Sequence, residues 1–456
     1  MLKHPQECIE QQMKRTMSSA HEIGSAMSKL RQDLSGYTMA LALVILATVI
    51  PTELAVAQDT GFSPLTDRDA SAHQVEANTS AKFTVLHSFS GGADGRYPEV
   101  DLILDAKGKL YSVTPYGGNE SCNPWGCGVA FKMNSTGKET VLHSFTGLHI
   151  STGTADLSIA TGGLTFDGKG NLYGTTYNGG DLNCDSPDGC GGVFKLDTTG
   201  KESILYAFTG TTGANPHVGL SFDADGNLYG VTPYGGDYNN CYIGCGVVFK
   251  LDTTGKETVL YSFTGGTDGW TPAAPVIVDA KGNLFGTTSG GGSYGDGVVF
   301  KLSSTGKETV LHSFTGGVDG NEPDASVIFD AKGNLYGTTR VGGAFGYGVV
   351  FKMSVTGKET VLYSFTGGTD GAWPYARVIF DANGNLYGTT AQGGSGNGVV
   401  FKLGKDGAET VLHTFTGGAD GAAPFAGLIF DANGNLYGTA QLGGASNDGV
   451  VFKLTP

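Results

Sequence analysis

Charged side chains are scarce in this sequence, at 16% of 456 residues, well below the roughly 25% of an ordinary soluble protein. Those present lean acidic, for a formal net charge of −15. So little positive charge excludes nucleic acid and an anionic membrane surface as partners, because both would repel the chain. Cysteine is scarce too, with seven in all, which excludes a small scaffold held together mainly by disulfides. Long apolar runs are also wanting. Met39 to Ile50 is the one extended stretch, and its 12 residues fall short of the ~20 that a spanning helix needs.

The sequence is instead rich in glycine, with 76 residues, alongside 24 Phe, 19 Tyr and an apolar content of 39%. That apolar share is enough for a core, so the glycine signals many tight turns in a β-rich fold rather than disorder. Lys29 and Arg31, the apolar run after them and the small residues Ala55-Val56-Ala57 read as an export signal, with residues 1–57 removed and the mature chain starting at Gln58. The part before Met27 is over-long for such a signal and points to a translation start at or near Met27. The competing reading is an uncleaved N-terminal anchor. Residues 58–82 are polar and aperiodic and read as a linker. The chain is expected to be secreted, periplasmic or on the cell surface, and off the membrane once the signal is cleaved.

Apart from Cys8, the cysteines fall into three close pairs, Cys122/Cys127, Cys184/Cys190 and Cys241/Cys245. Each pair sits in an insertion at the same point of three successive repeats, which predicts three loop disulfides formed in an oxidising compartment. Zinc is the rival reading. The irregular spacings and the absence of a histidine in register speak against it.

The repeat is clearest at residues 246–297. Val247 to Leu251 and Glu257 to Phe263 are β-branched and aromatic runs joined by a Thr/Gly turn, and they predict a hairpin. Ala274 to Asp279 and Asn283 to Thr288 flank Ala280-Lys281-Gly282 and predict a second one. The Phe that ends the ETVLYSF-type strand recurs at 89, 145, 208, 263, 314, 365 and 415, and the aromatic of the NLYG strand also recurs seven times. Seven units of four antiparallel strands predict an all-β, seven-bladed β-propeller over residues 83–456.

The two ends of the array complement each other. It starts with a lone FTVLHSF strand at residue 83 and stops just after VVFKL, so the first strand is expected to complete the last blade and close the ring. In six units a Lys precedes a Glu by seven residues, as in Lys132/Glu139, Lys301/Glu308 and Lys352/Glu359. These pairs are expected to lie directly opposite each other across the outer hairpin. Lys453 has no such Glu and is expected to face Phe83.

GVVFKL, ETVLYSF and GNLYGTT together resemble the Gloeobacter/Verrucomicrobia tandem repeat of the choice-of-anchor proteins, over residues 83–454. The resemblance implies a surface or secreted location, often with a C-terminal sorting anchor. This sequence departs from that pattern by ending on its last strand, so release or N-terminal attachment is expected. No catalytic residue carries over from the family.

Among the histidines, His87, His143, His312 and His413 share one repeat position with Tyr206, Tyr261 and Tyr363, which points to packing. Only His149 and His217 break the pattern, near Asp156 and Asn215. Asp105, Asp167, Asp223, Asp279, Asp330, Asp381 and Asp431 begin the inner-hairpin turns and read as Asx-type caps rather than calcium loops, since no bidentate Glu follows.

At the other end of the blades, Asp94, Asp268, Asp319, Asp370 and Asp420 recur in the GGTDG-type loops. They read either as turn caps or as a ring of carboxylates able to hold Ca²⁺ or a cationic group. Beside them the residues before the next proline vary between units and include Tyr97, Trp270 and Trp373. A constant frame with variable aromatic tips suits recognition. The leading expectation is therefore a monomeric, non-catalytic propeller that binds a carbohydrate or protein ligand on this face without a required cofactor. The alternatives are a lyase or hydrolase with its site in the central channel, and a structural surface protein.

Overall fold

The computed structural model describes residues 81–456, apart from 123, 148, 151–153 and 185–187. The expected export signal and most of the expected linker lie outside these residues. Seven four-stranded antiparallel sheets follow one another as blades, with strands a to d running from the axis outwards. In blade 4 these are Ile277–Val278, Leu284–Thr288, Val298–Leu302 and Glu308–Ser313. The first blade holds Ile103–Leu104 as strand a and the sixth Ile379–Phe380. In the seventh blade, strands a to c are Ile429–Phe430, Leu436–Ala440 and Val450–Thr455, and strand d is Lys82–Ser88 from the start of the array. The N-terminal strand thus closes the ring. A further three-stranded sheet, His149–Ile150, Thr154–Ser158 and Asn178–Asp181, is inserted between blades 1 and 2.

Each motif has a packing reason. The VVFKL strand is buried on both faces except at its Lys, because it lies in the middle of a blade sandwiched between two others. Its Phe meets the Phe that ends the preceding blade's outer strand edge to face. Examples are Phe263 on Phe300 at 5.2 Å and Phe365 on Phe401 at 5.1 Å between centroids. All fourteen such phenylalanines are buried, at 0–1% exposure, and each contributes about 1.5–3 kcal/mol by burial. Directly beneath, strand b carries glycine in six blades and Ser112 in the first. A Cβ on Gly337 would lie 2.7 Å from Phe351 Cζ, so the NLYG glycine is set by ring packing rather than by a turn.

Strand a is shorter than the sequence predicts. Its ladder with strand b holds only two residue pairs, such as Ile277↔Phe285 and Val278↔Leu284. The residues ahead of it leave the sheet to line the axis. Their carbonyls accept hydroxyl hydrogen bonds from the preceding blade instead, as in Thr287 Oγ1 to Ala325 O at 3.0 Å and Thr338 Oγ1 to Ala376 O at 3.0 Å.

The expected Lys–Glu opposition is corrected by the structure. Lys301 faces Thr309, and Glu308 faces Leu302; the same holds for Lys132 with Thr140 and Lys352 with Thr360. The reason lies in the turn. Ser303 N bonds Lys307 O and Gly306 takes φ 82°, closing a five-residue loop that offsets the register by one. The Lys lies instead over the strand b aromatic, with Lys301 Nζ 5.5 Å from the Phe285 centroid and Lys352 Nζ 5.2 Å from Tyr336, as cation–π geometry favours. At the seam Lys453 faces Thr84, and Phe83 occupies the Glu slot opposite Leu454.

The axis-side loops share a second feature. The residue before each proline is left-handed: Tyr97, Asn215, Thr271, Glu322, Trp373 and Ala423 have φ between 52° and 58°, and Ile159 occupies the equivalent place at 58°. Its amide bonds the preceding blade and its carbonyl bonds its own strand b, as in Thr271 N to Cys245 O and Ser289 N to Thr271 O, both 3.0 Å. These two bonds hold a conformation that costs a β-branched residue roughly 1–2 kcal/mol. Asn215 carries the residue type best suited to it. Thr271→Asn is therefore expected to raise stability by about 1 kcal/mol, read as a shift in denaturant midpoint at unchanged slope.

Candidate functional site

The left-handed residue and the fixed φ of the proline after it turn the chain inward, so the residue following the proline projects toward the axis. Around the ring these residues are Glu99, His217, Ala273, Asp324, Tyr375 and Phe425, with Thr161 in the equivalent place after Ala160, and all seven line one cavity of 350 Å³. Burial along each segment alternates, as in half-buried Tyr375, buried Ala376 and half-buried Arg377, the period expected of extended chain with one face to a channel. The inward positions one step deeper include Asp101, Gly163, Ser326 and Arg377.

Glu99 accepts a hydrogen bond from Gln441 Nε2 at 2.8 Å. Burial pushes its pKa up to about 7, with the Gln441 bond opposing. Tyr116, whose phenol is pushed up to about 12 by burial and by Glu99, stands nearby. His217 is held below its ordinary pKa by burial, with the Asn215 backbone opposing, so it is neutral at neutral pH. Asp324 is pushed up to about 6 by burial, against a hydrogen bond from Ser289 Oγ at 2.6 Å. Arg340 Nε lies 3.0 Å from Asp324 and also pairs with Glu322, which favours the ionised form of Asp324. Of the two carboxyls, Glu99 is the one suited to hold a proton near neutrality.

Between Asp324 and Glu99 the ring is aromatic. Arg340 lies 5.4 Å from the Tyr375 centroid, and Tyr375 meets Phe425 edge to face at 4.9 Å. Below the mouth, Arg377 of blade 6 reaches Asp101 of blade 1 at 2.8 Å, and Gly427 of the intervening blade donates its N–H to the same carboxylate at 2.6 Å. A Cβ on Gly427 would stand 3.0 Å from Asp101 Oδ1, so the carboxylate packs closely on that glycine. The cavity therefore combines a protonatable carboxyl, a neutral imidazole, a charged Asp–Arg pair and two rings, a set able to perform acid–base chemistry on a small polar molecule.

The aspartates of the Asp-Gly loops lie elsewhere on the same face, over the outer strands. Asp268 accepts from Thr264 N at 2.8 Å, Thr264 Oγ1 at 2.6 Å and Tyr261 Oη at 3.0 Å. Asp370 does the same with Thr366 and Tyr363 and is buried. Asp94, Asp319 and Asp420 bond His87, His312 and His413 at 3.2, 3.2 and 3.1 Å, together with Ser90, Thr315 and Thr416. Both oxygens of each are engaged in the loop, and the His/Tyr repeat position is their partner in these five units, whereas His143 reaches Glu202 and Tyr206 bonds Thr212. Among the described residues, no group of three or more His, Cys, Asp or Glu side chains is placed to hold a metal ion. The inner-hairpin aspartates form Asx turns, as expected: Asp279 Oδ1 accepts from Lys281 N and Asn283 N, both at 2.8 Å.

The three cysteine pairs are closed as expected, Cys122 with Cys127, Cys184 with Cys190 and Cys241 with Cys245, at Cα–Cα distances of 5.2, 5.7 and 5.2 Å. Their placement adds what spacing did not show. Cys127, Cys190 and Cys245 are buried, at 0%, 3% and 0% exposure, because each stands two residues ahead of its strand c, where the chain enters the blade. Cys127 belongs to the core cluster of Phe145 and Leu157, and Cys190 to that of Phe208 and Ala214. Their carbonyls take the amides of the left-handed residues, Ile159 N to Cys127 O at 2.9 Å and Asn215 N to Cys190 O at 2.8 Å. Each disulfide therefore ties an insertion to the core between two blades, and the second cysteine of the pair offers nothing to a ligand.

Trp270 is exposed, Trp373 half-buried, and Tyr97 packs edge to face on Tyr116 at 6.1 Å. His149 falls in the inserted hairpin opposite Ala155, away from the ring of residues after the prolines, whereas His217 belongs to that ring. Glu99, Thr161, Asp324, Tyr375 and Phe425 were not among the residues expected from sequence. The signal was the position just after each proline, where acid, imidazole, phenol and methyl alternate in an otherwise constant repeat.

The Gloeobacter/Verrucomicrobia repeat matches residues 73–244, 183–372 and 277–456. No curated protein matches the sequence. Among solved structures, the extracellular domain of a putative hybrid two-component system from B. thetaiotaomicron is similar at 16% identity and a TM-score of 0.52, over 82% of this chain and 41% of that one. This chain thus spans less than half of that protein's length. A putative 6-phosphogluconolactonase from Bacteroides uniformis is similar at 18% identity and a TM-score of 0.46, covering 73% of this chain and 89% of that one. A gluconolactonase from Xanthomonas campestris matches at 12% identity and a TM-score of 0.40, over 89% and 98% of the two chains.

Proposed function

The chain belongs to the Gloeobacter/Verrucomicrobia repeat family, and we propose that it is an extracytoplasmic hydrolase or lyase whose site is the mouth of the central channel. The observation that carries this reading is Glu99, a carboxyl in the cavity wall whose pKa burial raises to about 7, the value at which one group can both give and take a proton at neutral pH. In a hydrolysis Glu99 gives its proton to the leaving oxygen as the scissile bond breaks, and neutral His217 takes a proton from the attacking water. Asp324, held by Ser289 and Arg340, stabilises positive charge that develops on the substrate. The 350 Å³ cavity suits a molecule of about one sugar ring, with Tyr375 and Phe425 as its apolar wall.

Three loop disulfides and the export-type N-terminus support the location outside the cytoplasm. Among the described residues no helix is long and apolar enough to cross a membrane.

The test is a turnover screen of the purified chain against chromogenic glycosides, lactones and simple esters. Glu99→Gln is expected to lower kcat by about 100-fold or more and to remove the limb of the pH–rate profile near pH 7, while His312→Gln leaves both unchanged. A wild-type protein that binds such a molecule saturably without turning it over would make the channel a binding site only.

A further inference from the structure

The face around the channel mouth carries exposed rings clustered on blades 3 to 5, with Trp125 of the blade 1 loop a further one at 52% exposure. Tyr238 and Tyr242 stand on the blade 3 loop between strands b and c, Tyr294 on the blade 4 loop, and Phe345 and Tyr347 on the blade 5 loop, with Trp270 beside them on the Asp-Gly loop of blade 4. The matching loops of blades 6 and 7, built from Ser395-Gly396-Asn397 and Ala445-Ser446-Asn447, have no aromatic residue. The exposure is large, at 99% for Tyr242 and 65% for Tyr294, too much for rings whose purpose is packing.

Two of these rings are nevertheless fixed. The Trp270 indole lies on the backbone of Gly290, where a Cβ would come within 2.3 Å of it, and the Tyr347 ring covers Gly367, where a Cβ would come within 2.5 Å. Each therefore has one face seated on bare backbone, and little rotamer entropy remains to be lost on binding.

We propose that this arc across blades 3 to 5 is a platform for a glycan chain of several sugars, which it holds along the rim of the channel mouth. Sugar rings present C–H faces that stack on Tyr and Trp and hydroxyls that bond the polar atoms between them. Here Ser293, Asn239 and Asn240 lie between the rings. The net charge of −15 selects neutral or amino-sugar chains and disfavours anionic ones. Rings on separate loops suit a linear chain better than the compact apolar centre of a protein interface. This inference rests on the channel-mouth site as the place to which the glycan leads, and names its substrate class.

The experiment is affinity electrophoresis of the full chain in gels containing neutral β-glucan, mannan, glycol chitin or an anionic uronan. The proteins compared are wild type, a Trp270→Ala/Tyr294→Ala/Tyr347→Ala variant and Glu99→Gln. Retardation by a neutral or amino-sugar polysaccharide, weakened at least tenfold in the triple variant and kept in Glu99→Gln, is the expected result. No retardation by any of them, retardation by the uronan alone, or unchanged retardation of a triple variant with native circular dichroism would each overturn the platform. Turnover of a small chromogenic substrate without polysaccharide retardation would defeat the platform and leave the channel chemistry standing, whereas retardation without turnover would do the reverse.

Discussion

Deleting Ala81 to Phe89 abolishes cooperative folding of the whole propeller, not merely of one blade, in the expected experiment. The deleted strand pairs with Val450–Thr455 over six residues, and without it that strand becomes an open edge carrying unpaired backbone groups. Phe83 would no longer cover Phe452, Phe415 and His413, which it meets at centroid distances of 5.2, 5.7 and 3.7 Å. Phe89, fully buried against Phe131 of blade 1 at 5.5 Å, would leave a cavity on the other side of the seam.

Each lost phenylalanine costs about 3–5 kcal/mol, and the pair alone approaches the roughly 5–15 kcal/mol that stabilises a typical domain. Blades in a ring have no capping units, so damage at the seam passes to both neighbours. The expected observation is loss of a sharp thermal transition together with aggregation. Partial recovery on adding a peptide of residues 81–90 in trans would tie the loss to the seam. A truncated chain that melts as sharply as the parent, within a few degrees of it, would show that closure contributes little.

Seven blades and their closure could be read from sequence because both rest on patterns that repeat along the chain. Strand c alternates with its neighbours seven times, and a lone strand d at the start answers a missing strand d at the end. The Lys–Glu opposition failed because hairpin register depends on the turn, and the left-handed Gly306 adds a residue that spacing alone does not reveal. The cysteine pairing was legible from spacing, but the burial of Cys127 and Cys190 was not, since it depends on where the next blade packs. The channel lining was legible only in part. His217 stood out as a histidine off the repeat position, but Glu99 and Asp324 look like ordinary loop acids until the left-handed residue and proline ahead of them are seen to aim them inward. The Asp-Gly aspartates attracted attention for the opposite reason. They recur, and each hydrogen-bonds within its own loop.

Thermal stability is expected to be higher near pH 5 than near pH 8 by several degrees. Each outer strand of blades 1 to 6 begins with a glutamate set against the preceding blade, where His143 Nε2 reaches Glu202 at 3.0 Å and Tyr206 Oη reaches Glu257 at 3.5 Å. Burial, with the neighbouring loop aspartate adding to it, pushes Glu139, Glu308 and Glu359 up to about 7 and Glu409 to about 8. Burial also raises Glu202 and Glu257. A carboxyl whose pKa is higher in the folded than in the unfolded chain takes up a proton on folding. Its contribution is complete below about 4.5 and is lost as pH rises through 7 to 8.

The inner-turn aspartates act in the other direction. Burial pushes Asp279, Asp330 and Asp381 up, but hydrogen bonds from the Asn side chain and from backbone amides outweigh it and hold them below the ordinary carboxylate range. Their stabilisation is present above about 3.8 and is lost in stronger acid. The two sets together place the maximum between roughly pH 4.5 and 6. Replacing Glu308, Glu359 and Glu409 by Gln keeps shape and removes their titration, so the variant is expected to melt higher than wild type at pH 8 and to lose roughly half of the slope between pH 5 and 8. Glu139, Glu202 and Glu257 keep the rest. A wild-type melting temperature that rises steadily from pH 5 to 8 would mean that these glutamates stay ionised between the blades. In that case the histidine and tyrosine partners, rather than protonation, would be what offsets their burial.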